Sequence, residues 1–349
     1  MTTDTNEPKS GPTTDAGASG ASGTPGTTRV ARNRRARIRR TLVVAAITLS
    51  VLAVAGVAAA AWYYNDLSGR LAADDQTALE VASVLETETP AAAPDGPKPE
   101  YILLLGSDAR PGQGHTRSDS VVIVRLDKES KKVTLLSIPR DTYVPVPGHG
   151  NTKLAHANAY GGPALAITTV RNYTGIPIDH YIELNFAGFA RIVDALGGVH
   201  IDVDVTINDK NGANSGGVSN VTHIDKGKQV LNGAQALTYV RVRHIAGGDA
   251  ARMRHQQVFL RALATQALAT DNLSHLPSVI NAAADNIETD LKVPAILALA
   301  QEYQGFRGDS IKGYNSAGHG AKIGGVYYVV PDAAKSQALF RAFQDGTLR

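Results

Sequence analysis

Arginines and aspartates recur in this chain at the positions where a phosphate-rich ligand would need them. They read Gly106-Ser107-Asp108-Ala109-Arg110, Arg117-Ser118-Asp119, Pro139-Arg140-Asp141, Arg241-Val242-Arg243 and Asp249-Ala250-Ala251-Arg252, with Gln256 four residues beyond Arg252. Guanidiniums crowded together repel unless an anion lies between them, and arginine grips phosphate through two parallel N–H donors. A pyrophosphate held with a divalent metal suits this set. Asp108 closes an apolar run and Asp119 opens the next, so the two carboxylates can face each other across the loop 107–118. Hard oxygen ligands of this kind suit Mg2+, with Mn2+ as the alternative. The plainer reading makes them turn-capping aspartates paired with nearby arginines.

Elements must position these groups. Tyr101–Leu105, Val121–Leu126 and Val133–Ile138 are β-rich apolar runs, and the charged segment 127–132 predicts a hairpin between the last two. Arg140 and Asp141 follow the third strand, at a strand end where α/β sheets commonly bind ligands. Asp141 suits a role orienting an arginine. Thr238–Arg243 reads as a strand, which puts Tyr239, Arg241 and Arg243 on one face and Val240 and Val242 on the other. An arginine-rich edge strand facing water is the alternative there.

Ala250–Leu268 predicts a helix with Asp249 as N-cap, and Arg252 and Gln256 share a face near its anion-favouring N-terminus. Val230–Leu237 predicts a short helix and Asn208–His223 a long surface loop. Further helices are expected over Pro163–Tyr173, Phe186–Leu196, 275–286, 293–304 and 332–344. Tyr181–Asn185, His200–Val205 and Val326–Val330 are expected as strands. Strands mixed with helices throughout predict a layered α/β domain.

The charge is unevenly placed. Residues 1–40 carry eight basic groups against three acidic ones, residues 41–65 carry none, and the remainder is net −2. The basic character belongs to the tail, so the folded part is not expected to bind nucleic acid. Leu42–Tyr64 is an uncharged run of 23 residues closed by Trp62, Tyr63 and Tyr64, long enough to cross about 30 Å of hydrocarbon. With the arginine cluster on its N-terminal side, the N-terminus is expected in the cytoplasm and the rest outside. A cleavable signal peptide is the alternative, though the run exceeds the usual apolar length of one. The expected organisation is a disordered tail over 1–40, a transmembrane helix over 41–64, a stalk over 65–99 and a catalytic domain over 100–349. There is no cysteine, which excludes disulfides and thiolate chemistry. No Walker A, HExxH or GxSxG sequence appears, and the ten histidines form no metal-ligand pair at helical spacing.

In order, the segments Tyr101–Arg110, Arg117–Ser120, Leu136–Asp141, Lys153–Gly162, Ile178–Tyr181, Val193–Val199, Leu231–His244 and Asp249–Gln257 resemble the LytR–CpsA–Psr (LCP) family of cell-wall ligases. The likeness runs over residues 100–265. Ala155 and Asn158 depart from the family's usual Asn and aromatic or His at those positions. The resemblance implies a three-layer α-β-α sandwich around a mixed central sheet, preceded by one transmembrane helix. It implies an enzyme, a phosphotransferase that moves a glycopolymer from a polyprenyl-pyrophosphate carrier to peptidoglycan, with Mg2+ (Mn2+ possible). Asp108 and Asp119 would hold the metal. Arg110, Arg117, Arg140, Arg241, Arg243, Arg252 and Gln256 would line the pyrophosphate site. Asp119, Arg140, Asp141 and Arg241 would carry the transfer, and the polyprenyl tail would lie in an apolar tunnel between sheet and helices. Teichoic acid, arabinogalactan and capsular carriers present the same handle. A pyrophosphatase and a non-enzymatic membrane-anchored binding module are the competing functions.

Overall fold

The computed structural model describes residues 27–86, 98–109, 113–209, 218, 221–305 and 310–348, with side chains from Thr48 onward except that of Asp249. The chain divides into Met1–Ala61 and Trp62–Arg349. Helix α1 covers Thr27–Leu71, and within it Thr48–Leu71, 24 residues, is long and apolar enough to cross a membrane. Helix α2, Asp75–Glu86, is started by Asp74, whose Oδ1 accepts from the Gln76 and Thr77 amides.

The segment expected as a stalk carries buried residues. Leu67 and Leu71, four apart and so on one face of α1, pack with Ile280, Ala284 and Val293. Val81 of α2 joins the main core. Charged neighbours along 66–86 make this apolar stripe narrow in the sequence.

Three strands follow: β1 (Glu100–Ser107), β2 (Ser118–Asp127) and β3 (Lys132–Ile138). The predicted β2–β3 hairpin is present; Asp127 Oδ1 accepts from the Ser130 amide at 2.9 Å, and Lys131 takes the left-handed conformation that the turn requires. A small hairpin, β4 (Tyr143–Val146) and β5 (Gly150–Lys153), leads into α3 (His156–Thr174) and β6 (His180–Asn185). Then come α4 (Phe186–Ala195), β7 (Val199–Val203), the short pair β8 (Ile207–Asn208) and β9 (His223–Ile224), and β10 (Gly227–Leu231). Helices α5 (Gly233–Arg241), α6 (Gly248–Ala267) and α7 (Leu276–Ala283) precede β11 (Ile287–Thr289). The chain finishes with α8 (Val293–Glu302), β12 (Ile311–Asn315), the hairpin β13 (Gly318–Ile323) and β14 (Val326–Pro331), and α9 (Ala333–Gln344).

The central sheet has the order β11-β6-β1-β2-β3-β12. It is mixed: β6 runs parallel to β1 and β12 to β3, while the other pairs are antiparallel. Strand alternation sorts its two faces. Leu103 and Leu105 of β1 join Ile123, Leu136 and Tyr181 in a core that α3 and α9 cover through Ile167, Val170, Phe340 and Phe343. Ile102, Val122, Val124 and Leu135 point the other way, against Leu260, Ala264 and Leu268 of α6 and its C-cap. The result is the expected α-β-α sandwich.

Some local expectations are corrected. Thr238–Arg243 is not a strand; it forms the end of α5 and the residues after it. The cause lies upstream, where Asn232 and Gln235 make a reciprocal capping box that fixes a helix start at Gly233. The helix predicted over Val230–Leu237 therefore splits into the end of β10 and the first half of α5. Helix α6 begins at Gly248 behind Gly247 in the left-handed region, so Asp249 is not its N-cap. Strand β7 pairs with β10, and β14 with β13 and, through Val329, with Thr142, outside the main sheet.

Gly233 presses α5 onto α4: a methyl group there would enter the Ala190 carbonyl. Because the obstacle is backbone, Gly233→Ala is expected to cost about 1–3 kcal/mol. Its thermal midpoint, read by circular dichroism, should fall by about 2–10 °C.

Candidate active site

One cavity of about 450 Å3 lies on the α6 face of the sheet. Register explains its walls. Leu104 stands beside Val122 and Ile182 on neighbouring strands, and two residues on Gly106 stands beside Ser120 and Leu184. All six line the cavity, with Phe186 and Phe189 of α4, Leu237 and Val240 of α5, and Phe259 and Leu260 of α6. Moving along β1 toward its C-terminal end, the wall passes from aliphatic side chains to the polar end of β2, where Asp119 sits. An apolar chain with an anionic head is the ligand such a gradient suits.

The charged groups meet at that polar end. Asp119, Arg140, Arg241, Arg243, Arg252 and Gln256 all line the cavity. Arg140 Nη1 donates to Asp119 Oδ1 in an ion pair. On its other side Arg140 Nε lies 3.7 Å from Asp141 Oδ2, and Lys153 Nζ holds Asp141 Oδ1 at 2.7 Å. Lysine, aspartate, arginine and aspartate thus alternate in one row. The Arg241 guanidinium stacks 4.4 Å from the Phe186 ring centroid, a cation–π contact that fixes its direction. Burial pulls the Arg241 pKa below its ordinary value while the Asp119 and Asp108 charges pull it back up; it stays charged, as arginine does. Gln256 Nε2 donates to the Val240 carbonyl at 3.2 Å and its Oε1 accepts from Ser120 Oγ at 3.4 Å, tying α6 to α5 and β2. Arg252 is only 4% exposed, so its position is set by the surrounding packing.

The other predicted residues lie elsewhere. Asp141 sits behind Arg140 and is absent from the cavity wall, which fits the orienting role and not contact with ligand. Asp108, just past β1, is exposed yet within electrostatic reach of Arg241. Arg117 is exposed and does not line the cavity. Arg110 falls outside the described residues. Ser120, Thr238, Asp209 and His244 line the cavity without having been singled out. Ser120 was within reach of the sequence, since it alternates with Val122 on β2. Lys153 gains a definite partner in Asp141.

Asp108 and Asp119, the carboxylates expected to hold a divalent metal, lie at neighbouring strand ends, and Asp119 also pairs with Arg140. The β1–β2 ladder is irregular between Gly106 and Ser107, so Ser107 pairs with Ser118 and Asp119 is the extra residue of a bulge. The bulge re-aims Asp119 beside the strand end that carries Asp108. Two carboxylates on adjacent strand ends are hard oxygen donors of the kind that would suit Mg2+.

Residues 68–345 match the model of the LytR_cpsA_psr family. The chain is 33% identical over 264 residues to the polyisoprenyl-teichoic acid–peptidoglycan teichoic acid transferase TagU of Bacillus mycoides, covering 75% of this chain and 80% of that one. It is 32% identical over 255 residues to the corresponding TagV of Bacillus subtilis, covering 71% of this chain and 64% of that one. The crystal structure of B. subtilis TagV superposes with a TM-score of 0.62 at 34% identity, over 71% of this chain and 96% of TagV. A structure of TagT bound to LI-WTA superposes with a TM-score of 0.58 at 30% identity, over 74% and 94% of the two chains.

Proposed function

Because the chain belongs to the LytR–CpsA–Psr family, we propose that this transferase moves a glycopolymer from a polyprenyl-pyrophosphate carrier to a peptidoglycan hydroxyl. A phosphodiester forms and polyprenyl phosphate leaves. The observation that carries this reading is a cavity that joins an apolar wall to four arginines and Asp119. Its apolar part suits a prenyl tail, and its guanidiniums suit the pyrophosphate. Relatives named as teichoic acid transferases make teichoic-acid carriers the first donors to test.

In the transfer the acceptor oxygen bonds to the sugar-proximal phosphorus and the bond from that phosphorus to the bridging oxygen breaks. The electron pair leaves with polyprenyl phosphate. Phosphoryl transfer of this kind is mostly positioning and charge neutralisation. Arg241, Arg243 and Arg252 present fixed donors to the phosphates; Arg140, flanked by the Asp141 that Lys153 holds in place, adds a fourth. Mg2+, bound by Asp108 and Asp119, would supply further neutralisation of the pyrophosphate charge. Asp119 lines the cavity and Asp141 does not, which supports Asp119 over Asp141 as the group that receives the hydroxyl proton. The apolar stretch of α1 anchors the chain with its N-terminus cytoplasmic and the catalytic domain outside.

The full chain in detergent, given a polyprenyl-pyrophosphate oligosaccharide, Mg2+ and a peptidoglycan oligomer, should yield the phosphodiester conjugate together with polyprenyl phosphate by mass spectrometry. Asp119→Ala should reduce both products by about 10²–10³-fold. Polyprenyl phosphate without conjugate would replace the ligase reading with a pyrophosphatase.

A further inference from the structure

The opposite face of the sheet carries a second cavity at the same strand ends, of about 300 Å3. Alternation separates the two: on β6, Ile182 and Leu184 line the first cavity, whereas Glu183 lines the second. Four carboxylates line this second cavity. Asp74 is engaged by the start of α2 and by Thr77 Oγ1 at 2.8 Å, and Asp285 by Arg70 Nε at 3.0 Å. Glu183 and Glu288 remain, with His115 between them. Among the described residues this is the one group of three metal-ligating side chains, and its donor atoms all lie within 4.8 Å of one another.

We propose that His115, Glu183 and Glu288 bind a divalent transition-metal ion, Zn2+ in preference to Mg2+, at a site separate from the transfer centre. Glu183 is 7% exposed. Its Oε2 is buried without a hydrogen-bond partner, as is the nearby Ser107 Oγ in the same cavity. An orphaned carboxylate oxygen in a buried position is costly unless something satisfies it. His115 Nδ1 lies 3.8 Å from that oxygen, too far for a hydrogen bond. Yet this is the separation of two donors sharing one ion, since bonds of about 2.0–2.2 Å place neighbouring ligands about 3–4 Å apart.

The surroundings orient each ligand. Asn158 Nδ2 donates to Glu183 Oε1 at 3.0 Å, which turns Oε2 toward the histidine. Tyr181 Oη donates to Glu288 Oε1 at 3.0 Å. The His115 ring lies against Gly162, where any Cβ would come 2.8 Å from ring carbon Cδ2 and 2.9 Å from Nε2. Gly162 takes a positive φ at the kink of α3, and that kink makes the seat for the imidazole. With Nε2 against the glycine, Nδ1 is the nitrogen presented to the carboxylates. Hydrogen-bonded partners of this kind are typical of metal sites. One imidazole with two carboxylates selects Zn2+ over Mg2+, which prefers oxygen alone. The ion would pin the 107–118 loop, which carries Asp108 and Arg117, to β6 and β11.

The proposal does not rest on the transfer reaction, and its test does not read activity. Full-length protein in detergent, stripped with chelator, is titrated with Zn2+ by calorimetry in excess Mg2+, and its thermal midpoint is followed. One Zn2+ per chain with a raised midpoint is expected. His115→Ala and, separately, Glu288→Gln should weaken Zn2+ binding by more than about 100-fold, since even partners that merely orient a ligand cost about 10–100-fold. Asp108→Ala should keep the full stoichiometry. No stoichiometric uptake by the wild-type chain, or uptake unchanged in folded His115→Ala, would leave the cluster as an ordinary buried ion pair and overturn the proposal.

Discussion

Arg241→Ala is expected to lower kcat/KM for transfer by about 10³-fold or more while shifting the thermal midpoint by no more than about 4 °C. The asymmetry follows from where the side chain sits. Arg241 ends α5, stacks on Phe186 and faces the cavity, so its guanidinium serves the ligand more than the core. Arg241→Lys keeps the charge but loses the planar fork and much of the stacking, and should recover only part of the activity. Conjugate formation by mass spectrometry gives the rates, and circular dichroism the midpoint. A variant that binds donor lipid and transfers at the wild-type rate would remove Arg241 from the machinery. A chain that never transfers with any donor, mutated or not, would point instead to a binding module.

Ile182→Trp is expected to act in the complementary way, by chain length. Ile182 lines the apolar wall beside Leu104, so an indole there occupies space that a prenyl chain would take. Displacing one five-carbon unit forfeits at most about 4 kcal/mol at about 0.8 kcal/mol per buried carbon. Local relaxation brings the expected loss to about 30–100-fold in kcat/KM for a long-chain donor. A donor whose tail is shorter than the remaining groove should lose less than about threefold. Equal losses for both donors would mean that the tail lies elsewhere.

The strand runs were legible because their signal is local: β-branched apolar residues broken by a charged turn give β1, β2 and β3 directly. The arginine constellation was legible for a different reason, since its residue types suit one class of ligand wherever the chain brings them together. Residues 238–243 show the limit. Alternating Tyr239, Arg241 and Arg243 fit a strand, but the signal that decides the segment is the Asn232–Gln235 capping box upstream. The helical outcome still delivers Arg241 and Arg243 to the cavity, because the chain leaves α5 at Val242, whose extended backbone changes direction. Leu67 and Leu71 were obscured by charged neighbours, and only their burial against Ile280 and Val293 shows the stripe. His115, Glu183 and Glu288 come from a loop and two strands far apart in sequence, so no spacing rule would have grouped them.

The alternating row of Lys153, Asp141, Arg140 and Asp119 has a consequence for selectivity. Arg140 already holds a carboxylate of its own chain, tethered at high effective concentration. Any incoming anion must outcompete this internal occupant. A free acetate or a lone carboxylate on a cell-wall peptide offers one charge and no tether, and cannot do so at ordinary concentrations. A pyrophosphate brings several charges and spans more than one guanidinium at once, so it can take Arg140 while Asp119 is released to other duty. If the proposed pyrophosphate is the ligand, the Arg140–Asp119 pair would act as an internal decoy, keeping the seat taken until a multiply charged guest arrives.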